Sequence, residues 1–347
     1  MTRTTPPRPV DVESVFPALA SLARTATRLH PRPGNPSPQD SSVGGPLLWP
    51  ASEPWPHCDD PHDLDGATSL ADARLEGQIL ATASGRYLTP QERETLKRIH
   101  RLSRGPETGP QPHDDPVAML PVAQLYARDV PDLRPPAGTD LLQVLWCPFD
   151  HEPDWPKTAL FWRSADEVTG ILAVPPEPAA VQSWHYVPKP CTVDPEQVTE
   201  YPVPLELDDE LATQVEMWCV RHIAGIEPDI ETYDREYEEE ARFYFAELST
   251  APGWKAGGLV RWGYTDPYAP PCPACGTPTE PLLTIASCEW DAEGHTWIPY
   301  EDQAAGVSGS SPRYLSEPSG IDIRGGYKLI IRTCPASPDH PHVQHMQ

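Results

Sequence analysis

The sequence predicts an α+β fold built from two similar, mostly antiparallel β halves with helices inserted between the strands. The first observation is a motif order that occurs twice, once near each end of the 347-residue chain. A Gly-Gly pair at 44–45 is followed by a tryptophan and then Cys58, and a second pair at 257–258 is followed by a tryptophan and then Cys272. The second glycine and the cysteine lie 13 positions apart in the front copy and 14 in the rear copy.

Both copies also close in the same way, with an apolar run, a Cys-Pro dipeptide and an Asp-His dipeptide. The dipeptides begin at Cys147 and Asp150 in the front copy, and at Cys334 and Asp339 in the rear copy. This order predicts a tandem internal duplication. The segments predicted to superpose are 43–62 with 119–151 on 256–275 with 281–340.

The composition predicts short elements joined by many fixed turns. Proline supplies 47 of the 347 residues, and proline ends helices and is excluded from central strands. Eleven tryptophans argue against disorder, because disordered chains lack large aromatic side chains. The predicted segments are an N-terminal helix with a proline-rich linker at 1–42, a first half at 43–190 with an insertion at 64–116, and a second half at 191–347.

Apolar spacing and turn residues predict the elements of the front half. Apolar residues at helical spacing predict an amphipathic helix within 11–29. A Thr-x-x-Glu capping box at 89–92, with proline at the first helical position, predicts a helix in the insertion that stops at 105–106. Strands are predicted at 119–126, 140–146 and 158–162.

In the rear half, Asp208 opens a predicted helix with an apolar face. A second helix is predicted at 229–248, with an aromatic stripe toward the core and a glutamate-rich solvated face. Strands are predicted at 281–287 and 327–332, and a loop at 302–320.

The charge of the chain restricts its partners. The net charge is −25, with 51 acidic against 26 basic residues, which disfavours nucleic acid and anionic membrane surfaces. A basic protein is the macromolecular partner that fits, but the favoured interpretation of the charge is that it only keeps the chain soluble. No segment is apolar enough to span a bilayer, and the N-terminus lacks a signal-peptide core. The sequence therefore predicts a cytoplasmic protein with reduced cysteines, and spaced cysteines in that compartment favour metal binding.

The rear knuckle is the strongest local motif. Cys272 and Cys275 form a Cys-Pro-Ala-Cys-Gly sequence, and two thiolates at this spacing can bind one metal ion from a tight turn. Cys334 is the expected third ligand and His340 or His342 the fourth, which predicts a zinc site. A redox-active pair is the first alternative, but no helix start follows the motif. The second alternative is that these cysteines are reduced structural thiols.

A weaker front site is predicted by analogy. Cys58 and His62 occupy the knuckle positions, and Cys147 and His151 match the closing residues of the rear copy. These four residues predict a Cys2His2 zinc site, with the neighbouring aspartates as possible replacements for a histidine. The alternative is that the histidines are exposed polar residues. Four protein ligands leave no position for water or substrate, which is typical of structural zinc.

Nucleophilic catalysis has little support in the sequence. The chain has no Gly-x-Ser-x-Gly motif. Cys191, with His185 nearby in sequence, is a conceivable Cys-His pair, but a half-buried thiol is the favoured interpretation. Cys219 and Cys288 are interpreted as core residues. No catalytic residue is therefore predicted.

The order of several short motifs resembles the YwqG-like family of bacterial proteins, a domain of unknown function. The matching segments are 43–45, 55–58, 120–125 and 253–258. The resemblance spans about 43–347 without the insertion and implies a duplicated α+β fold in a cytoplasmic protein, without catalytic residues. Some relatives are thought to belong to toxin–immunity systems, which implies an immunity-type partner. The chain departs from the family at His62, which stands where a second cysteine is expected.

These observations lead to two functional hypotheses. The first is a cytoplasmic binding protein, stabilised by structural zinc, whose acidic surface engages a basic protein such as a toxin. The alternative is a metal-dependent or small-molecule-processing enzyme with a site between the two halves, because domain interfaces commonly hold ligand pockets. The number of protein ligands at each metal separates the two hypotheses.

Overall fold

The computed structural model describes residues 2–103, 112–226, 237–291, 294–308, 311–312 and 315–347. In chain order the strands are β1 (Arg24–Arg28), β2 (Arg32–Pro33), β3 (Ser42–Val43), β4 (His57–Cys58), β5 (His62–Asp63), β6 (Thr68–Ser69), β7 (Pro112–His113), β8 (Val117–Ala118), β9 (Leu120–Tyr126), β10 (Leu141–His151), β11 (Trp155–Arg163), β12 (Ala180–Val181), β13 (Cys191–Thr192), β14 (Glu196–Glu200), β15 (Lys255–Gly257), β16 (Glu280–Ala286), β17 (Lys328–Thr333) and β18 (Val343–Met346). The α-helices are α1 (Val12–Val15), α2 (Leu70–Thr82), α3 (Pro90–Ser103), α4 (Asp209–Ala224), α5 (Glu238–Ala241) and α6 (Tyr300–Ala304).

Two six-stranded sheets carry the fold, which confirms the predicted α+β class. The front sheet has the order β11-β10-β9-β3-β13-β2, and the rear sheet has the order β14-β1-β15-β16-β17-β18. Neighbouring strands are antiparallel throughout. A shared core of Val, Leu, Ile and Trp side chains from both sheets packs between them.

The two sheets have the same strand order over four strands. The series β3-β9-β10-β11 in the front sheet corresponds to β15-β16-β17-β18 in the rear sheet. In each series the second strand has proline as its second residue, Pro121 or Pro281, and the ladder shifts register immediately after it. Proline cannot donate to the ladder, so a bulge at this position is expected. The superposition of the two halves stays a prediction.

Two crossing segments connect the sheets. The segment 24–33 gives β1 to the rear sheet and β2 to the front sheet, and the segment 191–200 gives β13 to the front sheet and β14 to the rear sheet. The predicted N-terminal segment and the predicted second half therefore each supply strands to both sheets. Neither sheet is built from one continuous half of the chain.

The predicted helix within 11–29 is wrong over most of its length. Helix α1 ends at Val15, a 3₁₀ turn follows at Pro17–Leu22, and β1 begins at Arg24. Proline lacks an amide hydrogen and interrupts the α-helical hydrogen bonds. The threonines of β1 are β-branched residues that favour a strand, and this strand pairs on both edges.

The other predicted helices agree with the structure where residues are described. The capping box of α3 is formed, because Thr89 N donates to Glu92 Oε2 at 2.7 Å and Glu92 N to Thr89 Oγ1 at 3.2 Å. Asp208 caps α4 through the amide of Leu211. The first part of the predicted 229–248 helix lies outside the described residues; α5 and a π-helical turn at Tyr244–Leu248 form its end. None of the described helices combines the length and apolarity that crossing a membrane requires.

Candidate metal centres

The rear cluster, defined as Cys272, Cys275, Cys334 and His340, begins on a tight turn. Cys272 N donates to Thr277 O, and Gly276 N donates to Cys272 O, both at 2.8 Å. Gly276 has a φ of +74°, a conformation that glycine adopts without steric cost. The turn therefore brings both cysteine side chains of the Cys-x-x-Cys motif to the same place.

The segment between β17 and β18 supplies the other two candidate ligands of the rear cluster. Cys334 directly follows the strand, and its Sγ lies 3.5 Å from Cys275 Sγ. His340 Nδ1 lies 3.3 Å from Cys334 Sγ and 3.5 Å from Cys272 Sγ. His342 lies elsewhere, with its Nε2 2.9 Å from Thr158 Oγ1. Of the two histidines considered from sequence, the structure therefore places His340 in the cluster.

The exposed thiol of the rear cluster is acidic. The Thr277 side chain and then its backbone lower the pKa of Cys275 to about 6, through hydrogen bonds to the sulfur. Burial raises the pKa of Cys334. At neutral pH one thiolate of this cluster is therefore already formed, and thiolate is the form that binds a metal.

The front cluster, defined as Cys58, His62, Cys147 and His151, is held by strands. Cys58 belongs to β4, which pairs with β8, and His62 belongs to β5, which pairs with β7. Cys147 and His151 both lie on β10, a strand inside the front sheet. His62 Nε2 lies 3.1 Å from Cys147 Sγ, and Cys58 Sγ lies 3.7 Å from His151 Nε2.

The front cluster is more deeply buried than the rear one. Cys58, His62 and Cys147 are buried and only His151 is half-buried. Apolar side chains surround the two cysteines, among them Trp55, Met119 and Phe149. Within the described residues, His62 Nδ1 is buried without a hydrogen-bond partner.

The two front thiols differ in acidity. A hydrogen bond from Cys147, and also one from His151, lower the pKa of Cys58. The same pairing, together with burial, raises the pKa of Cys147. Cys58 is therefore the more acidic thiol of the pair, and Cys147 is the one that favours the protonated form. A metal ion would displace that proton, since it binds thiolate.

Asp60 is placed behind a ligand of the front cluster. Its carboxylate lies 3.5 Å from His151 Nδ1, the ring nitrogen that faces away from Cys58, and 2.6 Å from the Lys157 ammonium. A carboxylate on the second imidazole nitrogen orients a metal-binding histidine and fixes its tautomer. The structure therefore places both histidines in the cluster and Asp60 beside one of them.

Each cluster could hold a metal ion such as zinc. In both, the four donor atoms lie within 4.8 Å of one another. Ligands about 2.3 Å from a tetrahedral zinc lie about 3.7 Å apart, and the donor separations of 3.1 to 3.7 Å match this spacing. Sulfur and imidazole nitrogen are the donors that zinc prefers.

The remaining cysteines behave as neutral thiols or structural residues. Cys191 is fully buried, its Sγ lies 3.4 Å from Pro318 O, and burial raises its pKa to about 12. It is therefore protonated at neutral pH, which argues against the Cys-His pair considered with His185. Cys219 is a core residue, and burial raises its pKa to about 12. Cys288 is half-buried rather than fully in the core.

A large acidic cavity adjoins the front cluster, and sequence analysis did not predict it. Its volume is about 930 Å³, and its wall includes His151 from the cluster and His342 and Gln344 from the second half. Its carboxylates come from Asp60, Asp63, Asp150, Glu152 and Asp154. The signal in the sequence is faint, because these acids lie in two short segments, 60–63 and 150–154, that are far apart in the chain.

Comparison of the chain with protein-family models and with curated proteins finds no match.

Proposed function

We propose that this chain is a binding protein stabilised by two structural zinc ions, one in each cluster. The observation that carries the proposal is that each cluster gathers four sulfur or nitrogen donors within 4.8 Å. Four protein ligands complete a tetrahedral zinc site, so the metal has no open position for substrate or water. Kinship with the YwqG-like family is part of the proposal and rests on the order of the short motifs.

The proposed partner is a basic protein, in an immunity-type complex. The net charge of −25 supports this choice, because electrostatic complementarity accelerates association and excludes partners of like charge. Part of this negative charge lines the acidic cavity beside the front cluster. Among the described residues of its wall, five carboxylates outnumber the one lysine, Lys157, so a lysine or arginine side chain of the partner would be attracted to the cavity.

The metal part is tested by metal analysis of the purified protein. We expect about two zinc ions per chain, and one after Cys272→Ser or Cys147→Ser. Cobalt substitution then reports the ligand number, because a tetrahedral site with only protein ligands has intense visible bands that azide does not change. Less than one zinc per chain in the intact protein would refute the proposal.

The partner part is tested by affinity capture from the native cell extract, with the captured protein identified and its dissociation constant measured. We expect the double variant Asp63→Asn/Glu152→Gln to weaken binding severalfold at low salt and to reduce the salt dependence. Glu94→Gln/Asp114→Asn is the matched control, since it removes two exposed negative charges outside the cavity. Equal effects of the two double variants would contradict a role of the cavity.

The alternative function is a metal-dependent enzyme that uses the same cavity. It is favoured by one observation, that His151 of the front cluster lines a cavity that also includes second-half residues. This function requires a metal with three protein ligands and a water. Azide-sensitive cobalt bands at the front site would support it against the structural assignment.

A further inference from the structure

A second cavity, whose wall includes none of the eight cluster residues, concentrates positive charge in this acidic chain. It has a volume of about 490 Å³. Among the described residues of its wall, Arg242, Arg261 and Lys328 face one acidic side chain, Asp291. A local excess of cations in a chain with a net charge of −25 indicates an anionic ligand.

Arg261 is held in place by its surroundings. It is 3% exposed, and its Nη1 donates to Phe245 O and Thr250 O, both at 2.8 Å. Its guanidinium lies 4.2 Å from the centre of the Phe245 ring, and its Nη2 lies 3.3 Å from Asp291 Oδ2. The charge is therefore fixed at the cavity wall before any ligand binds, which lowers the entropic cost of binding.

Lys328 brings a second cation that the protein does not neutralise directly. Among the described residues, no carboxylate lies within ion-pair distance of its ammonium group. Burial, and then the charge of Arg261, lower the pKa of Lys328 to about 8. The ammonium is therefore still mostly protonated at neutral pH, and an anion beside it would relieve both unfavourable effects.

Backbone amides add a third anion-binding element. The N–H groups of Gly263, Tyr264 and Thr265 all point at one atom, Gln347 Oε1, at 3.3 to 3.4 Å. Successive amides that converge in this way form a nest for anions. These hydrogen bonds are long for N–H···O contacts, so an oxyanion could replace the neutral amide oxygen with shorter, charge-assisted bonds.

Aromatic side chains form the rest of the cavity. Phe245, Tyr264 and Tyr327 line it, and the rings of Tyr264 and Tyr327 lie 4.5 Å apart between centroids. Such walls suit a planar organic group attached to the anion.

We propose that this cavity binds a small phosphomonoester. The phosphate lies between Lys328, Arg261 and the amides of 263–265, and the organic group packs on Phe245 and the two tyrosines. The site is independent of the two metal clusters and of the partner proposed above.

Calorimetry on the zinc-loaded full chain at low ionic strength tests the proposal, with phenyl phosphate as the probe. We expect saturable binding of phenyl phosphate, weaker binding of inorganic phosphate and no saturable binding of phenol. Lys328→Met should weaken the affinity for phenyl phosphate about tenfold or more, as loss of a charge-assisted hydrogen bond does. Lys97→Met is the matched control, because it removes an exposed lysine on α3 and should leave the affinity unchanged.

Gln347→Ala is the second variant. It removes the amide oxygen that the N–H groups of 263–265 contact, so these groups should bind phosphate more tightly. Absence of binding to the intact protein would overturn the proposal. So would equal affinities for Lys328→Met and Lys97→Met, which would place the phosphate elsewhere, for example on a zinc ion. Equal affinity for phenyl phosphate and inorganic phosphate would overturn the part assigned to the aromatic walls.

Discussion

The front and rear clusters each include a cysteine on or directly after an inner strand of a six-stranded sheet, β10 or β17, yet the two clusters are held by different means. In the front cluster every ligand lies on a strand, and Cys147 and His151 share β10. In the rear cluster Cys272 and Cys275 lie on a turn outside the named strands, and Cys334 follows the end of β17. The front candidate ligands are therefore positioned by hydrogen bonds between paired strands, whereas the rear candidate ligands depend on the geometry of a local turn.

The candidate ligands of the two clusters also differ in burial. Three front ligands are buried, whereas Cys275 of the rear cluster is exposed. A buried imidazole and a buried thiolate that lose their metal are costly in an apolar environment. An exposed thiolate that loses its metal is hydrated by water instead. A metal ion at the front site would therefore support the core, whereas a metal ion at the rear site would order a surface segment.

Removing the metal from each site in turn should distinguish these two roles, and removal from the front site should have the largest effect on stability. Cys147→Ser should remove the front zinc and lower the free energy of unfolding by about 3–5 kcal/mol, the cost of leaving buried polar groups unpaired. At about 2–4 °C per kcal/mol, this corresponds to a fall in Tm of about 10 °C. Differential scanning calorimetry with zinc analysis measures both.

Cys334→Ser should remove the rear zinc with a smaller fall in Tm. Hydrogen exchange should then accelerate mainly in 270–280 and 333–342, while β9 and β10 stay protected. Cys191→Ser is the matched control, because Cys191 is a buried thiol outside both clusters, and it should keep both zinc ions. A larger fall in Tm for Cys334→Ser than for Cys147→Ser would reverse the comparison.

Asp60 offers a finer test, because it supports a ligand of the front cluster only. Asp60→Asn keeps the shape of the side chain but removes the charge beside His151 Nδ1 and Lys157. We expect the zinc affinity of the front site to fall about tenfold or more, the usual effect of removing such a carboxylate. Competition with a chromophoric chelator should show one weakened site and one unchanged site.

Asp59→Asn is the neighbouring control, since Asp59 is exposed beside the same cysteine. If both variants weaken the front site equally, general charge rather than the contact with His151 is responsible.

The same contrast explains what sequence analysis could predict. The rear knuckle is local, because Cys272, Cys275 and the glycine after them define their own turn, so the motif alone identified two ligands. The front ligands lie on three strands that meet only in the folded protein, and they were predicted through analogy with the rear copy. The contact between Asp60 and His151 could not be predicted in this way, because it forms only in the folded chain.

Errors in the fold have a similar origin. The residues of 11–29 satisfy a helical spacing, but Arg24–Arg28 is extended because it pairs with β14 and β15, which lie more than 165 positions away in sequence. Helix α2 was not predicted, since its sequence has no clear apolar stripe. Gly77 on this helix lies against Trp184, where an added Cβ would be 3.0 Å from the indole ring. Residue spacing within a short stretch of sequence does not reveal such contacts between distant segments.

The smallest expected effect concerns the acidity of the rear turn in the metal-free protein. Thr277 lowers the pKa of Cys275 to about 6 through its side chain and its backbone, and Cys275 Sγ lies 3.3 Å from Thr277 Oγ1. A lowered pKa means that the thiolate is present at neutral pH and is lost as the pH falls through about 6. Thr277→Val removes the hydroxyl but keeps the backbone amide, so the pKa should rise only part of the way toward the ordinary value for cysteine.

The pH dependence of iodoacetamide alkylation at Cys275, followed by peptide mass spectrometry, measures this pKa. The midpoint should lie near 6 in the chelated wild-type chain and move upward in Thr277→Val, whereas buried Cys147 with its raised pKa should react slowly in both. Thr265→Val is the control, because Thr265 lies outside the knuckle turn and bonds to Gln347. An unchanged midpoint in Thr277→Val would show that the backbone of the turn alone sets the acidity of Cys275.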